Sequence, residues 1–275
     1  MTAATSNPPA GPLLGCVADD YTGGTDVASA LRREGLRTTL LFGPPRPDWT
    51  VADADAVVVA LKSRNDDLAA IATTTRELPV VTGAAGLVRL LSAALRGSGA
   101  GRPVTGEAGR LPGGPTLILA GSSSAATLEQ VAQARSRYPA FRLDPAATPD
   151  PGDLQAKAVD WMGQHLDRGT VLVYASAPPG ERGPAGGQAA QAIERTMAEL
   201  ARAAVGRGVR RLVVAGGETS GAVVDGLGID RVVVARDEDV GVPWLVTADP
   251  APLALLLKSG NFGRPDLLVR AAETS

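Results

Sequence analysis

The chain has 275 residues, 44% of them hydrophobic and 20% charged, with a formal net charge of −2. This is the composition of a globular protein with room for one large domain or two ordinary ones. The absence of a basic excess argues against nucleic acid as the main partner. Aromatic residues make up only 3%, so the core has to be built from Ala, Val and Leu.

Residues 1–12 are small, polar and Pro-rich, without the basic-then-apolar order of a secretory leader, and read as a loose tail. The lone cysteine, Cys16, rules out an internal disulfide and suits a cytoplasmic setting. Lying in an apolar run, it reads as a small core residue. No apolar run is long enough to span a bilayer, so no membrane partner is expected.

Short apolar runs then alternate with amphipathic stretches. Strands are expected over 13–17, 37–42, 56–61 and 78–81, and helices over 24–34 and 85–96. This βαβ rhythm implies a parallel sheet covered by helices. Residues 97–115 are rich in Gly and Pro and read as a linker, which places a domain boundary there. The rhythm restarts with strands over 116–120, 170–175, 210–215, 231–235 and 253–257. Helices are expected over 125–137, over 187–206 and, short, after Ser220. The expected fold class is α/β, with two domains over 13–96 and 116–275. Each is a largely parallel sheet flanked by helices, with an active-site cleft between them.

The unusual polar clusters sit at or just beyond strand ends. Asp19-Asp20-Tyr21-Thr22-Gly23-Gly24 follows the first strand, Lys62-Ser63-Arg64 the strand ending at Leu61, and Thr82-Gly83 the one ending at Val81. In the second half, Gly121-Ser122-Ser123-Ser124 follows Ala120, Gly216-Gly217-Glu218-Thr219-Ser220-Gly221 follows Ala215, and Lys258-Ser259-Gly260-Asn261-Phe262-Gly263 follows Leu257. Open α/β sheets bind ligands at the carboxyl ends of their strands.

At 216–221, glycines allow a sharp turn and close approach to a ligand. Thr219 or Ser220 can cap the following helix, and the free N–H groups at its start suit an anion such as phosphate. An ordinary capped turn explains the same residues equally well. There is no G-x-x-x-x-G-K-[ST] loop and no G-x-G-x-x-G fingerprint. Residues 258–263 would suit a loop over a nucleotide, although a glycine-stabilised surface turn is the simpler reading. Asp19 and Asp20 can bind substrate hydroxyls or serve as a general base, or one can cap a helix while the other is solvated. Lys62 and Arg64 can bind a carboxylate, Arg64 bidentately, or belong to a charged loop.

Taken together, the blocks resemble one family. Ala18-Asp19-Asp20-Tyr21-Thr22-Gly23-Gly24-Thr25-Asp26 resembles the A-D-D-[FLY]-T-G-[AG]-T-D opening of the four-carbon acid sugar kinases. Leu61-Lys62-Ser63-Arg64 and Thr82-Gly83-Ala84-Ala85-Gly86-Leu87 resemble two further segments of the same domain. Gly121-Ser122-Ser123-Ser124, the block from Ala215 to Val223, and the block from Lys258 to Gly263 resemble signatures of the second domain, in the family's order.

The resemblance implies a sugar-acid-binding N-terminal domain, a nucleotide-binding C-terminal domain, and transfer of phosphate from ATP to a four-carbon acid such as threonate, erythronate or 3-oxo-tetronate. It implies Ser122, Gly217, Glu218, Thr219, Ser220 and Gly260 on ATP. Asp19, Asp20, Lys62, Arg64, Thr82 and Gly83 would line the sugar-acid side, with Asp20 accepting the hydroxyl proton. Mg²⁺ is implied as counterion to the phosphates, with no metal ligand assigned, and a homodimer is compatible with the sequence. The chain also departs from the family. Members carry a long insert between the segments matching Arg64 and Pro79, where this chain has only residues 65–78. A non-catalytic nucleotide-binding remnant is therefore the alternative. The only histidine, His165, lies in the other half, on a helix-like stretch read as surface.

Overall fold

The structure, a computed structural model, describes residues 12–18, 20–43, 53–61, 111–178 and 187–274. The strand expected over 78–81, the helix expected over 85–96, and the candidates Asp19, Lys62, Arg64, Thr82 and Gly83 lie outside the described residues. The chain divides into two compact units, Met1–Ala108 and Gly109–Ser275.

In the first unit, β1 (Leu14–Ala18), β2 (Thr38–Phe42) and β3 (Ala56–Ala60) run parallel with β3 between the other two. The Ala-Val-Val-Val-Ala sequence of β3 is buried at every position, as a parallel strand covered on both faces requires. Helix α1 (Tyr21–Arg33) starts three residues earlier than expected. Asp20 ends the extended chain and caps the helix: its Oδ1 accepts the Gly23 N–H at 2.6 Å and the Thr22 hydroxyl at 2.9 Å.

Tyr21, Gly24, Thr25, Ala28 and Leu31 form the buried stripe of α1, at the three-to-four residue spacing of an amphipathic helix. A planar fork from Arg37 to the buried Asp55 carboxylate, at 2.8 and 3.0 Å, ties the start of β2 to the start of β3. Cys16 is buried, and burial pushes its thiol up to about 11, so it is an inert core group.

The second unit contains β4 (Thr116–Ala120), α2 (Ala125–Arg135), β5 (Ala140–Arg142), α3 (Pro151–Leu166), β6 (Val171–Tyr174), α4 (Gly187–Gly206), β7 (Arg211–Ala215), α5 (Gly217–Gly226), β8 (Arg231–Asp239), β9 (Val242–Thr247), β10 (Ala254–Lys258) and α6 (Leu267–Glu273). Five strands run parallel in the order β10–β7–β4–β6–β5, and β9 and β8 continue antiparallel beyond β10. Strands β5 and β9 and helices α3 and α6 were not expected, and β8 runs four residues past the strand expected there. Leu111, inside the stretch read as a linker, is buried in this unit's core. Among the described residues, no helix is long and apolar enough to cross a membrane.

Strand alternation sorts the helices. Ile118, Ala120, Leu172, Tyr174, Val213, Ala215, Ala254 and Leu256 face one layer, together with Val131 and Ala134 of α2 and Leu267 and Leu268 of α6. The alternate residues of the same strands, also buried, face the opposite layer, where α3, α4 and α5 pack side by side.

Gly24 allows α1 to lie close on β3, because a Cβ there would sit 2.5 Å from Ala60 Cβ. Gly24→Ala gains about 1 kcal/mol of helix propensity but forces two rigid groups apart, so a net loss on the order of 1–3 kcal/mol is expected in denaturant unfolding. Ala60→Gly in the same chain should recover much of it.

Candidate nucleotide-binding site

Strands β4 and β7 are neighbours, yet the chain leaves them toward opposite faces of the sheet: α2 lies in one layer and α5 in the other. This is the geometry of a topological switch point, where an open α/β sheet has a crevice at its carboxyl edge. The register lines up Ala120, Ala215 and Lys258 in one row. The three turns that follow are laced together by backbone. Gly121 and Ser122 N–H groups donate to Ala215 O at 2.9 and 3.2 Å, and Gly216 N–H donates to Lys258 O at 2.9 Å.

Helix α5 starts at Gly217, earlier than expected, and its N-cap is Gly216 with no side-chain cap hydrogen bond. Capping by Thr219 or Ser220 is thereby corrected: both lie inside the helix. Gly216 has φ 129°, a region closed to ordinary side chains, and a Cβ there would lie 3.1 Å from both Ser122 N and Thr219 Oγ1. The first bond of the helix is Ser220 N–H to Gly216 O. The N–H groups of Gly217, Glu218 and Thr219 therefore have no partner among the described residues. Free amides at the positive end of a helix have the chemistry that suits an anion. Gly217 and Glu218 are exposed, Thr219 is buried against Gly121, and the buried Ser220 Oγ has no hydrogen-bond partner.

Opposite this turn, residues 259–263 lie against the start of α2. Gly260 packs on Ser122 so closely that a Cβ would come within 2.4 Å of Ser122 Oγ. The Gly260 carbonyl receives the hydroxyls of Ser124, the N-cap of α2, and of Thr127, the latter at 2.9 Å, and the ammonium of Lys258 at 2.8 Å. Buried Gln130, one turn further along α2, holds the carbonyls of Phe262, Gly263 and Arg264 at 3.0–3.1 Å through Nε2. The tip of this glycine-bearing turn, Asn261 and Phe262, is exposed, but Lys258 is 0% exposed and the turn is held by Ser124, Thr127 and Gln130.

The structure thus brings together Ser122, Gly217, Thr219, Ser220 and Gly260, with Glu218 exposed beside them. Thr127 and Gln130 are site-shaping residues that sequence reasoning missed. Their signal is present as polar residues at 124, 127 and 130, every third position on one face of a helix. Asp20 is exposed, with Oδ1 occupied in the α1 cap. His165 is half-buried on α3, stacked on Trp161 at 4.4 Å, with Nδ1 2.8 Å from Trp161 O.

The second unit is thus an open α/β sheet with its glycine-bearing polar turns gathered at the carboxyl edge, at a topological switch point. A family described as a nucleotide-binding C-terminal domain matches residues 117–268, and one described as a sugar-binding N-terminal domain matches 14–88. The chain belongs to the four-carbon acid sugar kinase family. Its sequence is 41% identical over 236 residues to a 3-oxo-tetronate kinase of Methylobacterium radiotolerans, covering 83% of this chain and 56% of that protein. It is 39% identical over 227 residues to one of Burkholderia multivorans, covering 80% of this chain and 53% of that one. The chain spans about half the length of the curated relatives it matches. The fold is shared with a Haemophilus influenzae protein of the DUF1537 family, at TM-score 0.76 and 22% identity over 95% of this chain and 100% of that one.

Burial pushes the Lys258 ammonium down to about 8 from its ordinary 10.5. Between those values the unfolded chain holds more protons at this site than the folded one, so this group adds stability as pH rises from about 8 to 10.5. Cys16 acts with the opposite sign between 9.0 and about 11, because the folded thiol keeps a proton that the unfolded one loses. Comparison with Lys258→Met isolates the first effect. In denaturant unfolding, the stability difference should move toward the wild type by on the order of 1–3 kcal/mol across that window.

Proposed function

We propose that the chain binds ATP on the turns after β4, β7 and β10 and transfers its γ-phosphoryl group to a hydroxyl of a four-carbon sugar acid of the 3-oxo-tetronate, threonate or erythronate class. The observation that carries the reading is the set of three unpartnered amides at the start of α5, facing no side-chain cap at a topological switch point. In this reading, Gly217, Glu218, Thr219 and Ser220 bind the phosphate tail through backbone and hydroxyl, and Ser122 and Gly260 wall the nucleotide. The acceptor oxygen attacks the γ-phosphorus, the bond to the bridging oxygen breaks, ADP leaves, and the hydroxyl proton passes to Asp20 through its remaining Oδ2. Asp19, Lys62, Arg64, Thr82 and Gly83 take the sugar acid, with Lys62 and Arg64 on its carboxylate. ATP use suits a cytoplasmic setting.

Among the described residues, no group of three or more His, Cys, Asp or Glu side chains could hold a metal. Those residues fit Mg²⁺ only as an ion carried mainly by phosphate oxygens and water, with Glu218, the acidic residue of the first turn of α5, available to its waters. When bound, Mg²⁺ would neutralise charge on the phosphates.

The short bridge at 65–78 favours a second reading, a nucleotide-binding chain without turnover. Incubation with ATP and each acid, read as ADP release, decides between them: turnover supports the kinase, and ATP binding without turnover on any acid supports the second reading. With ATP at about 100 times its Kd, thermal unfolding should show about 2.7 kcal/mol of stabilisation. Gly260→Val, which drives a side chain into Ser122, should remove most of that shift, measured against the variant's own ligand-free melting curve. An undiminished ATP shift in this variant would remove the 259–263 loop from the site.

A further inference from the structure

Among the described residues, Lys258 is a buried cation without a counter-ion. It is 0% exposed, and its ammonium has two acceptors, Thr127 Oγ1 and Gly260 O, each at 2.8 Å. An ammonium carries three donors, so one N–H has no acceptor among the described residues. The charged groups on the described elements around it are Glu129 and Arg135 on α2, Arg211 on β7, Glu218 and Asp225 on α5, Arg264 and Asp266 before α6, and Arg270 and Glu273 on α6. None of these lies within ion-pair distance of Nζ. Uncompensated burial of charge is unfavourable, and an apolar residue of the same volume would be the more stable choice. The rest of β10, Ala-Leu-Leu-Leu, is apolar and buried. The lysine therefore weakens the fold where an aliphatic side chain would strengthen it.

Its position suggests what offsets that cost. The Lys258 carbonyl accepts the Gly216 N–H, and its ammonium grips the Gly260 carbonyl and the α2 hydroxyl, so one residue joins all three turns. We propose that Lys258 is the positioning residue of the nucleotide site, holding the 259–263 loop against Ser122 and taking its missing counter-charge from the phosphates of the bound nucleotide. The proposal rests on the nucleotide reading above.

Proton uptake follows from it. Near pH 8 about half of the free protein lacks the Lys258 proton, and a polyphosphate close by favours the charged form. Binding should then draw a proton from solvent, with no covalent change.

The test is calorimetry of Mg·ATP binding at pH 8 in two buffers of different ionisation enthalpy, with unfolding curves recorded alongside. The wild type should take up roughly half a proton per nucleotide. Lys258→Met should melt at or above the wild-type temperature, yet bind at least tenfold more weakly and take up no proton. Lys258→Arg should recover part of the affinity without proton uptake. A lysine that only supports the fold would lower melting temperature and affinity together and show no proton linkage. The proposal is overturned if the wild type binds ATP without uptake, or if a folded Met variant binds as tightly as the wild type. Should the Met variant not fold, uptake by the Arg variant equal to that of the wild type overturns it. A wild type that does not bind ATP defeats this proposal and the nucleotide reading together; ATP binding without proton linkage defeats this proposal alone.

Discussion

The edge of the second unit depends on the register of β10, β7 and β4. Side chains alternate along a strand, so a slip of one residue would turn Lys258 to the layer of α3, α4 and α5 and aim an apolar leucine at Thr127. Register also decides which carbonyls are left at the strand ends. Ala215 O receives two amides from the turn after β4, and Lys258 O receives the amide of Gly216. With those acceptors in place, the amides of Gly217, Glu218 and Thr219 are the ones left over, and the site is in effect the remainder of the hydrogen-bond pattern. The same pattern explains why the α5 cap is a glycine. A serine or aspartate at 216 would satisfy one of these amides itself, and it would also need a backbone angle that only glycine adopts readily.

Much of this was legible in the chain. Runs such as Ala-Val-Val-Val-Ala and Thr-Leu-Ile-Leu-Ala are short, aliphatic and bounded by turn residues, which favours buried strands, and polar residues just beyond them mark the carboxyl edge of the sheet. What was missed has identifiable causes. Strand β5 is three residues of Ala-Phe-Arg, too short to show a period. Strand β9 contains Pro243, which argues against a strand, but the register shifts around Asp237, opposite Pro243, and a bulge tolerates the missing donor. Helix α3 did carry its signals: Asp150 as cap, Pro151 in the first turn, and Leu154, Ala158, Met162 and Leu166 every fourth residue. The burial of Lys258 could not be read at all, because a lysine after three leucines looks like the first residue of a loop until the neighbouring helix is known.

The Asp20 geometry bears on how one carboxylate can serve both fold and chemistry. An N-cap needs one oxygen, and here Oδ1 meets both the Gly23 amide and the Thr22 hydroxyl. The second oxygen is outside that arrangement, on an exposed residue. Capping orients the carboxylate, which a proton acceptor requires. Replacing Asp20 with asparagine would preserve the cap oxygen while removing the basic one, so fold and proton acceptance are separable at this position.

A comparable separation holds for the whole chain. Every residue assigned to the phosphates lies in Gly109–Ser275, on turns braced by α2 and by the strands themselves. Nothing in that bracing draws on the sugar-acid residues, so a shortened first unit need not weaken the nucleotide cradle. Phosphoryl transfer asks for more, because its rate comes from holding acceptor and phosphate in line. On the proposed function, nucleotide affinity and turnover would therefore rest on different parts of the chain. A short bridge at 65–78 would show itself first as a loss of acceptor positioning, a defect in turnover that leaves the anion site at residues 217–219 intact.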